Sequence, residues 1–342
     1  MKKRAKQAIN VALKIGVATA LIWYLVHVGA LDLQAIARLL TPSTVSSLLA
    51  LVFVSIAINN HRWLILLRAQ GFRGSTRSTF PLTLIGLFFN FAMPGGVGGD
   101  VVKGYYLLQE HPERRVAAAL SIFMDRMSGF FIMLSTAMAA LFINWEAVRD
   151  NPQFQVVGAA VGAFFLAFVG FYVISLSTLV TRHRLAVWVF ARAPLGHALK
   201  RIYEGLHSYR SSPGALLASF GLSALSQLTM VAAHMAVGRA LGIEVPIGVY
   251  FFVVPVGTVM MTLPISIAGI GVGQAAFFYL YKMTIGKETP LGPTAATAVQ
   301  LASFAWGLIG AVLYLRRTRT GALIDVGQRE DLPAQENALR GR

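Results

Sequence analysis

Six long, uninterrupted apolar stretches dominate this sequence, at about residues 8–28, 45–67, 116–143, 156–180, 215–241 and 294–315. Each is long enough to cross a ~30 Å hydrocarbon core as a helix of ~20 residues. Membrane strands would alternate apolar and polar positions with period two, and these runs do not alternate. Composition points the same way, with 56% hydrophobic and 13% charged residues and a mean hydropathy of +0.64. Soluble domains carry ~25% charged residues. The predicted fold class is an all-α polytopic membrane protein.

Charge and cysteine content remove several function classes. A formal net charge of +16 in a soluble chain would raise the question of nucleic acid. Here the cations sit at the ends of apolar segments, where membrane topology demands them, so no nucleic-acid partner is expected. The absence of cysteine excludes disulfides, thiolate nucleophiles and Cys-type metal sites. Met1-Lys2-Lys3-Arg4 before an apolar run, with Val28-Gly29-Ala30 after it, imitates a secretory signal. The run is of spanning length, longer than the ~7–15 residues of a signal core, and reads as a retained first helix.

Two further apolar regions are broken. The first runs Phe80–Met93, breaks at Pro94-Gly95-Gly96-Val97-Gly98-Gly99 and resumes over Asp100–Gln109. The second runs Gly248–Leu263, breaks between Pro264 and Gly273 and resumes over Gln274–Tyr281. The arms are too short to cross alone at 1.5 Å per residue, which predicts re-entrant helical hairpins. Charge supports that topology. It places Lys2, Lys3, Arg4 and Lys6, then Arg68, Arg73 and Arg77, then Arg114 and Arg115 on one side. The cations between Arg182 and Arg210 and the tail from Arg316 join them. By the positive-inside rule that side is cytoplasmic, and both termini face it in a cell (inner) membrane.

The order span, span, hairpin, span then occurs twice, with halves at about residues 8–143 and 154–315. Three crossings per half invert the second relative to the first, a pattern found in transporters. Residues 1–319 read as one transmembrane domain and 320–342 as a polar disordered tail. The segment between Arg182 and Ser212 is amphipathic, with Leu195, Leu199, Ile202, Leu206 and Tyr209 on one face opposite Lys200, Arg201 and His207, and reads as an interfacial helix.

The candidate site residues are charges within spans and the hairpin breaks. A charge at bilayer centre costs ~2.5–3.5 kcal/mol, so such groups pair or face a cavity. Arg62, Asp125 and Arg126 are the least easily dismissed, and they admit two readings. In one they form a buried ion-pair network that fixes helix packing. In the other Arg62 and Arg126 neutralise a phosphate while Asp125 orients one of them. At the first break, Gly95, Gly96, Gly98 and Gly99 free the backbone, and the second arm offers N–H groups and a positive helix end to an anion. Asp100 is expected to cap those donors or, like Asp125, to orient or pair with a nearby cation, Lys103 to meet an anionic lipid and Asn90 to lend an amide. Lone His234 reads as a packing residue in preference to a proton shuttle. No metal or nucleotide motif is present, and no cofactor is expected.

The stretch Asn90-Phe-Ala-Met-Pro94-Gly-Gly-Val-Gly-Gly-Asp100-Val-Val-Lys103, followed by Asp125-Arg126, resembles the lysylphosphatidylglycerol synthase transmembrane, or flippase-like, family. Leu263-Pro264-Ile-Ser266-Ile-Ala-Gly269-Ile-Gly271-Val272 is similar to that family's second signature. The resemblance covers nearly the whole chain. It implies a helical domain that carries lipids between leaflets, including aminoacylated phosphatidylglycerol or polyprenyl-linked lipids in some members. It adds Pro264, Ser266, Gly269, Gly271 and Gln274 as the second hairpin's candidates. Where the family often has Arg and Glu, this chain has Gly273 and Gln274, which puts proton coupling there in doubt. The chain is also expected to lack the soluble synthase domain of two-domain members.

The leading expectation is therefore a lipid flippase with anionic membrane lipids as its partners, alongside enzymes of lipid or glycan synthesis. Two alternatives stand beside it. A glycosyl or aminoacyl transferase acting on a lipid-linked substrate would need a donor-binding domain or clustered acids. A non-transporting envelope-pathway scaffold would be indifferent to loss of Lys103 or Arg126.

Overall fold

The computed structural model describes residue 23 and residues 33–93, 96–178, 196–263 and 268–320. These residues form helices and no strand. The helices are α1 (Leu33–Arg38), α2 (Pro42–Ala69), α3 (Thr76–Ala92), α4 (Gly98–Glu110), α5 (Arg115–Ile143) and α6 (Trp145–Asp150). They continue with α7 (Pro152–Leu176), α8 (Gly196–His207), α9 (Pro213–Ala240), α10 (Ile247–Met261), α11 (Val272–Ile285) and α12 (Leu291–Thr320). Five helices (α2, α5, α7, α9 and α12) are long and apolar enough to span a membrane. They match five of the six predicted spans; the first, at residues 8–28, lies outside the described residues, as does the tail.

Local signals set several boundaries. Pro42 and Pro213 occupy the first helical position, where a missing N–H costs nothing. Thr41 caps α2, and Ser75 with Ser78 forms a capping box at α3. After α2 and α9 the chain turns at Gly71 (φ +82°) and Gly242 (φ +66°), each three residues beyond an arginine. Both turns need the left-handed backbone that glycine adopts without penalty.

Each broken region folds into two short helices lying against each other. In the first pair a Cβ on Gly99 would lie 2.7 Å from the Gly86 carbonyl oxygen, and one on Gly98 would strike the Phe89 carbonyl. In the second, Gly273 abuts Met261, Gly257 abuts the Phe277 ring, and the Tyr250 and Tyr281 rings lie 6.0 Å apart. The partners run back along each other in both pairs, so the arms are antiparallel. The arm α3 has 17 residues, longer than the predicted Phe80–Met93, yet at ~1.5 Å per residue it still falls short of a ~30 Å core.

The packing is symmetric between halves. Exchanging α2 with α9, α3 with α10, α4 with α11 and α5 with α12 leaves the set of packed pairs unchanged. Thus α2 meets α9 at the centre, α3–α12 answers α10–α5, and α2–α5 answers α9–α12. Likewise α2–α12 answers α9–α5, and α4–α5 answers α11–α12. The helix α8 packs on α5 and α7, not on lipid alone. Leu206 and Tyr209 are buried with Leu66, Leu120 and Met124, while Leu199 and Ile202 stay exposed.

Candidate functional site

The charged residues of the first half converge where α2, α4 and α5 meet. Arg62 of α2 donates from Nε to Asp125 Oδ1 of α5 at 2.7 Å, and from a terminal nitrogen to Ser223 Oγ of α9 at 3.0 Å. Both partners of this ion pair are largely buried, with side chains 10% and 14% exposed. One face of the guanidinium lies against Gly129, whose missing side chain makes room for it. Deep in an apolar bundle such a pair survives because each charge answers the other.

Arg126 forms a second pair, Nε to Asp100 Oδ2 at 2.7 Å, and reaches the Gly96 carbonyl oxygen at 2.9 Å. The span α5 is thereby clipped to the tip of the first hairpin. This corrects the expected capping role of Asp100. Val97 is the residue before α4 and provides no side-chain cap; the Gly99 N–H is taken by Asn90 Oδ1 at 2.7 Å. Asp125 holds Arg62, whereas Arg126 is held by Asp100. Pro94 and Gly95 lie outside the described residues.

Lys103 stands one turn further along α4. Its ammonium lies 4.5 Å from the centre of the Trp63 ring, and no carboxylate among the described residues is within ion-pair distance. A ring face offers a cation partial compensation, ~0.5–2 kcal/mol, and no neutralising charge. Among the described residues, three basic side chains therefore meet two carboxylates in this cluster, and Lys103 is the one without a carboxylate partner. Trp63, fully buried, escaped the sequence reading because it carries no charge; only its place beside Arg62 hinted at it.

The second hairpin repeats this arrangement without charge. Gln274 accepts from the Gly271 N–H at 2.7 Å and donates to Gln300 at 2.6 Å and to Thr297 at 3.1 Å. Gln300 in turn donates to the Ala268 carbonyl oxygen at 3.2 Å. Gln274 and Gln300 are 26 residues apart, as are Asp100 and Arg126, and each span residue also ties a carbonyl in its hairpin's turn. Phe277 and His234, stacked at 5.0 Å, stand where Lys103 and Trp63 stand in the first half. His234 is buried and lines the space between the hairpins, with its Nδ1 bonded to the Met230 carbonyl oxygen. Gly269 (φ +73°) packs against Met261; Pro264 and Ser266 lie outside the described residues.

The hairpin tips meet across a cavity of about 240 Å³, lined by Asn90, Gly96, His234, Met261, Ala268 and Gln300 among others. A family model described as "Lysylphosphatidylglycerol synthase TM region" matches residues 11–311. The chain belongs to that family. It is similar to a UPF0104 membrane protein of Methanothermobacter thermautotrophicus, 22% identical over 334 residues that cover 91% of this chain and 96% of the relative. No solved structure matches. Family and helices together make the protein a multi-pass membrane protein of the lysylphosphatidylglycerol synthase transmembrane type.

Proposed function

We infer that the protein carries an anionic phospholipid or polyprenyl-linked lipid between membrane leaflets, with the first hairpin tip receiving the head group. The observation that carries this reading is a lysine, Lys103, set beside two arginine–aspartate pairs with no carboxylate of its own among the described residues. Arg62, Lys103 and Arg126 face only Asp100 and Asp125, at a place where spans, a glycine-rich turn and a helix N-terminus converge. One phosphodiester would balance that charge beside the first turn of α4. The antiparallel short helices then act as re-entrant hairpins. The symmetric packing supports two inverted halves rocking against one another about α2 and α9.

The test is translocation of head-group-labelled lipids in proteoliposomes, comparing phosphatidylglycerol and a polyprenyl phosphate with phosphatidylcholine. Faster movement of the anionic lipids than of the zwitterionic one, absent from protein-free vesicles, is expected. Equal movement of all lipids, or none, contradicts the reading.

A further inference from the structure

The symmetry of the two halves lets each inter-half interface be compared with its counterpart, and one pair does not match. On one side α12 presses directly on α3. A Cβ on Gly307 would lie 3.4 Å from Phe88 Cα, and one on Gly310 would strike the Leu84 carbonyl oxygen. At the counterpart interface between α5 and α10, Met133 stands in place of Gly307 and Thr136 in place of Gly310. Those side chains forbid the same approach. A groove of about 770 Å³ opens there, walled by Met133 and Ala137 of α5, Val259 of α10, Ala160 and Phe164 of α7 and Ala276 of α11.

The dimensions and chemistry of the groove limit what it can hold. Along α7 it extends from Gln153 to Phe164, about 16 Å at 1.5 Å per residue, close to half of a ~30 Å hydrocarbon core. That is the depth of one leaflet. The walls are apolar except at one end, where Asn151, Gln153 and Lys282 gather. Asn151 caps α7 by accepting from the Gln153 N–H at 2.9 Å, and Lys282 is steadied by Glu288 at 2.7 Å. The polar end thus brings together two amides, the Lys282–Glu288 ion pair and the N-terminus of a spanning helix, groups that can hydrogen-bond a lipid head group while the apolar walls take a chain. Val156 and Phe164 are exposed, so the groove is open to the bilayer along its side.

We propose that this groove is a phospholipid site, holding one acyl chain between α5, α7 and α10 with the lipid's phosphate level with Lys282. It shares no residue with the charged cluster at the first hairpin. The positive-inside orientation places it in the non-cytoplasmic leaflet. Occupancy does not require transport, so the site can be tested whatever becomes of the translocation reading.

The experiment is photo-cross-linking in nanodiscs containing phosphatidylglycerol with a mid-chain diazirine, followed by peptide mapping. Adducts are expected to concentrate on residues 133–137, 156–164 and 255–260. Ala160→Trp, which fills the groove from an exposed position, should cut them about tenfold, equivalent to ~1.4 kcal/mol of lost binding. Adducts spread evenly onto the exposed face of α12, at Leu301, Leu308 and Leu315, would overturn the proposal. So would unchanged labelling in a folded Ala160→Trp protein, or cross-links that join two copies of the chain through the groove. If that variant fails to fold, the wild-type adduct map decides alone.

Discussion

Ser55 Oγ and Ser226 Oγ lie 2.9 Å apart at the centre of the bundle, and their offset of 171 positions is also that between Arg68 and Arg239 and between Gly71 and Gly242. Each serine is thus the other's counterpart, and their hydrogen bond marks the axis relating the halves. A slightly larger offset, 174, relates Asp100 to Gln274 and Arg126 to Gln300. The charged tip of the first hairpin and the amide tip of the second are two versions of one device.

That axis is open to a direct chemical check. The chain has no cysteine, so Ser55→Cys/Ser226→Cys would introduce its only thiols. Disulfides form where Cβ atoms come within ~3.5–4.5 Å, and the two hydroxyls here already touch. Mild oxidation should give an intramolecular disulfide, visible as a mobility shift reversed by reductant. Failure to oxidise in a folded protein would mean that α2 and α9 do not meet at these residues.

Arg62 and Asp125 should behave as a buried pair. Arg62→Ala alone strands the carboxylate and is expected to cost ~3–5 kcal/mol, whereas Arg62→Leu/Asp125→Leu should cost far less. Thermal unfolding in detergent of both single variants and the double variant measures this. Equal losses in the single and double variants would contradict the account.

Two glycines of α4 should respond with opposite sign. Gly98→Ala forces a methyl group into the Phe89 carbonyl and should destabilise the hairpin by ~1–3 kcal/mol. Gly104→Ala meets only Ile122 Cδ1 at 3.8 Å and should stabilise by ~0.5–1 kcal/mol, because alanine loses less backbone freedom within a helix. Unfolding midpoints of the two variants decide the matter.

Gln274→Glu restores a carboxylate at the second tip and tests how the neutral network is held. Glutamate keeps the bond from the Gly271 N–H but loses the donors to Gln300 and Thr297. It also sets a second acceptor against Gln300 Oε1. A loss of ~1–3 kcal/mol is expected, as for a buried polar group left unpaired. If Gln300→Lys in the same chain restores the unfolding midpoint, the two tips are interchangeable in kind.

Much of the architecture was legible because membrane spans announce themselves as continuous apolar runs. The described spans fall where the sequence placed them, and both breaks separate paired helices. What resisted sequence reading was partner choice. Asp100, Asp125, Arg62 and Arg126 were all visible, yet only tertiary distance assigns Asp100 to Arg126 and Asp125 to Arg62. Capping was misassigned for the same reason. Asn90 lies nine residues from the N–H it accepts, across a turn, whereas local rules favoured Asp100. Thr297 was silent because one hydroxyl in an apolar helix gives no periodic signal.

The most direct test of the central claim is phosphatidylglycerol translocation by Lys103→Gln against wild type in proteoliposomes, at matched insertion and unfolding midpoint. Lys103 makes no ion pair among the described residues, so its loss removes a positive charge and leaves both salt bridges in place. The account predicts that anionic-lipid movement falls about tenfold or more, the effect of losing a ~1.5–3 kcal/mol charge-assisted contact. Translocation at the wild-type rate in that variant would contradict it.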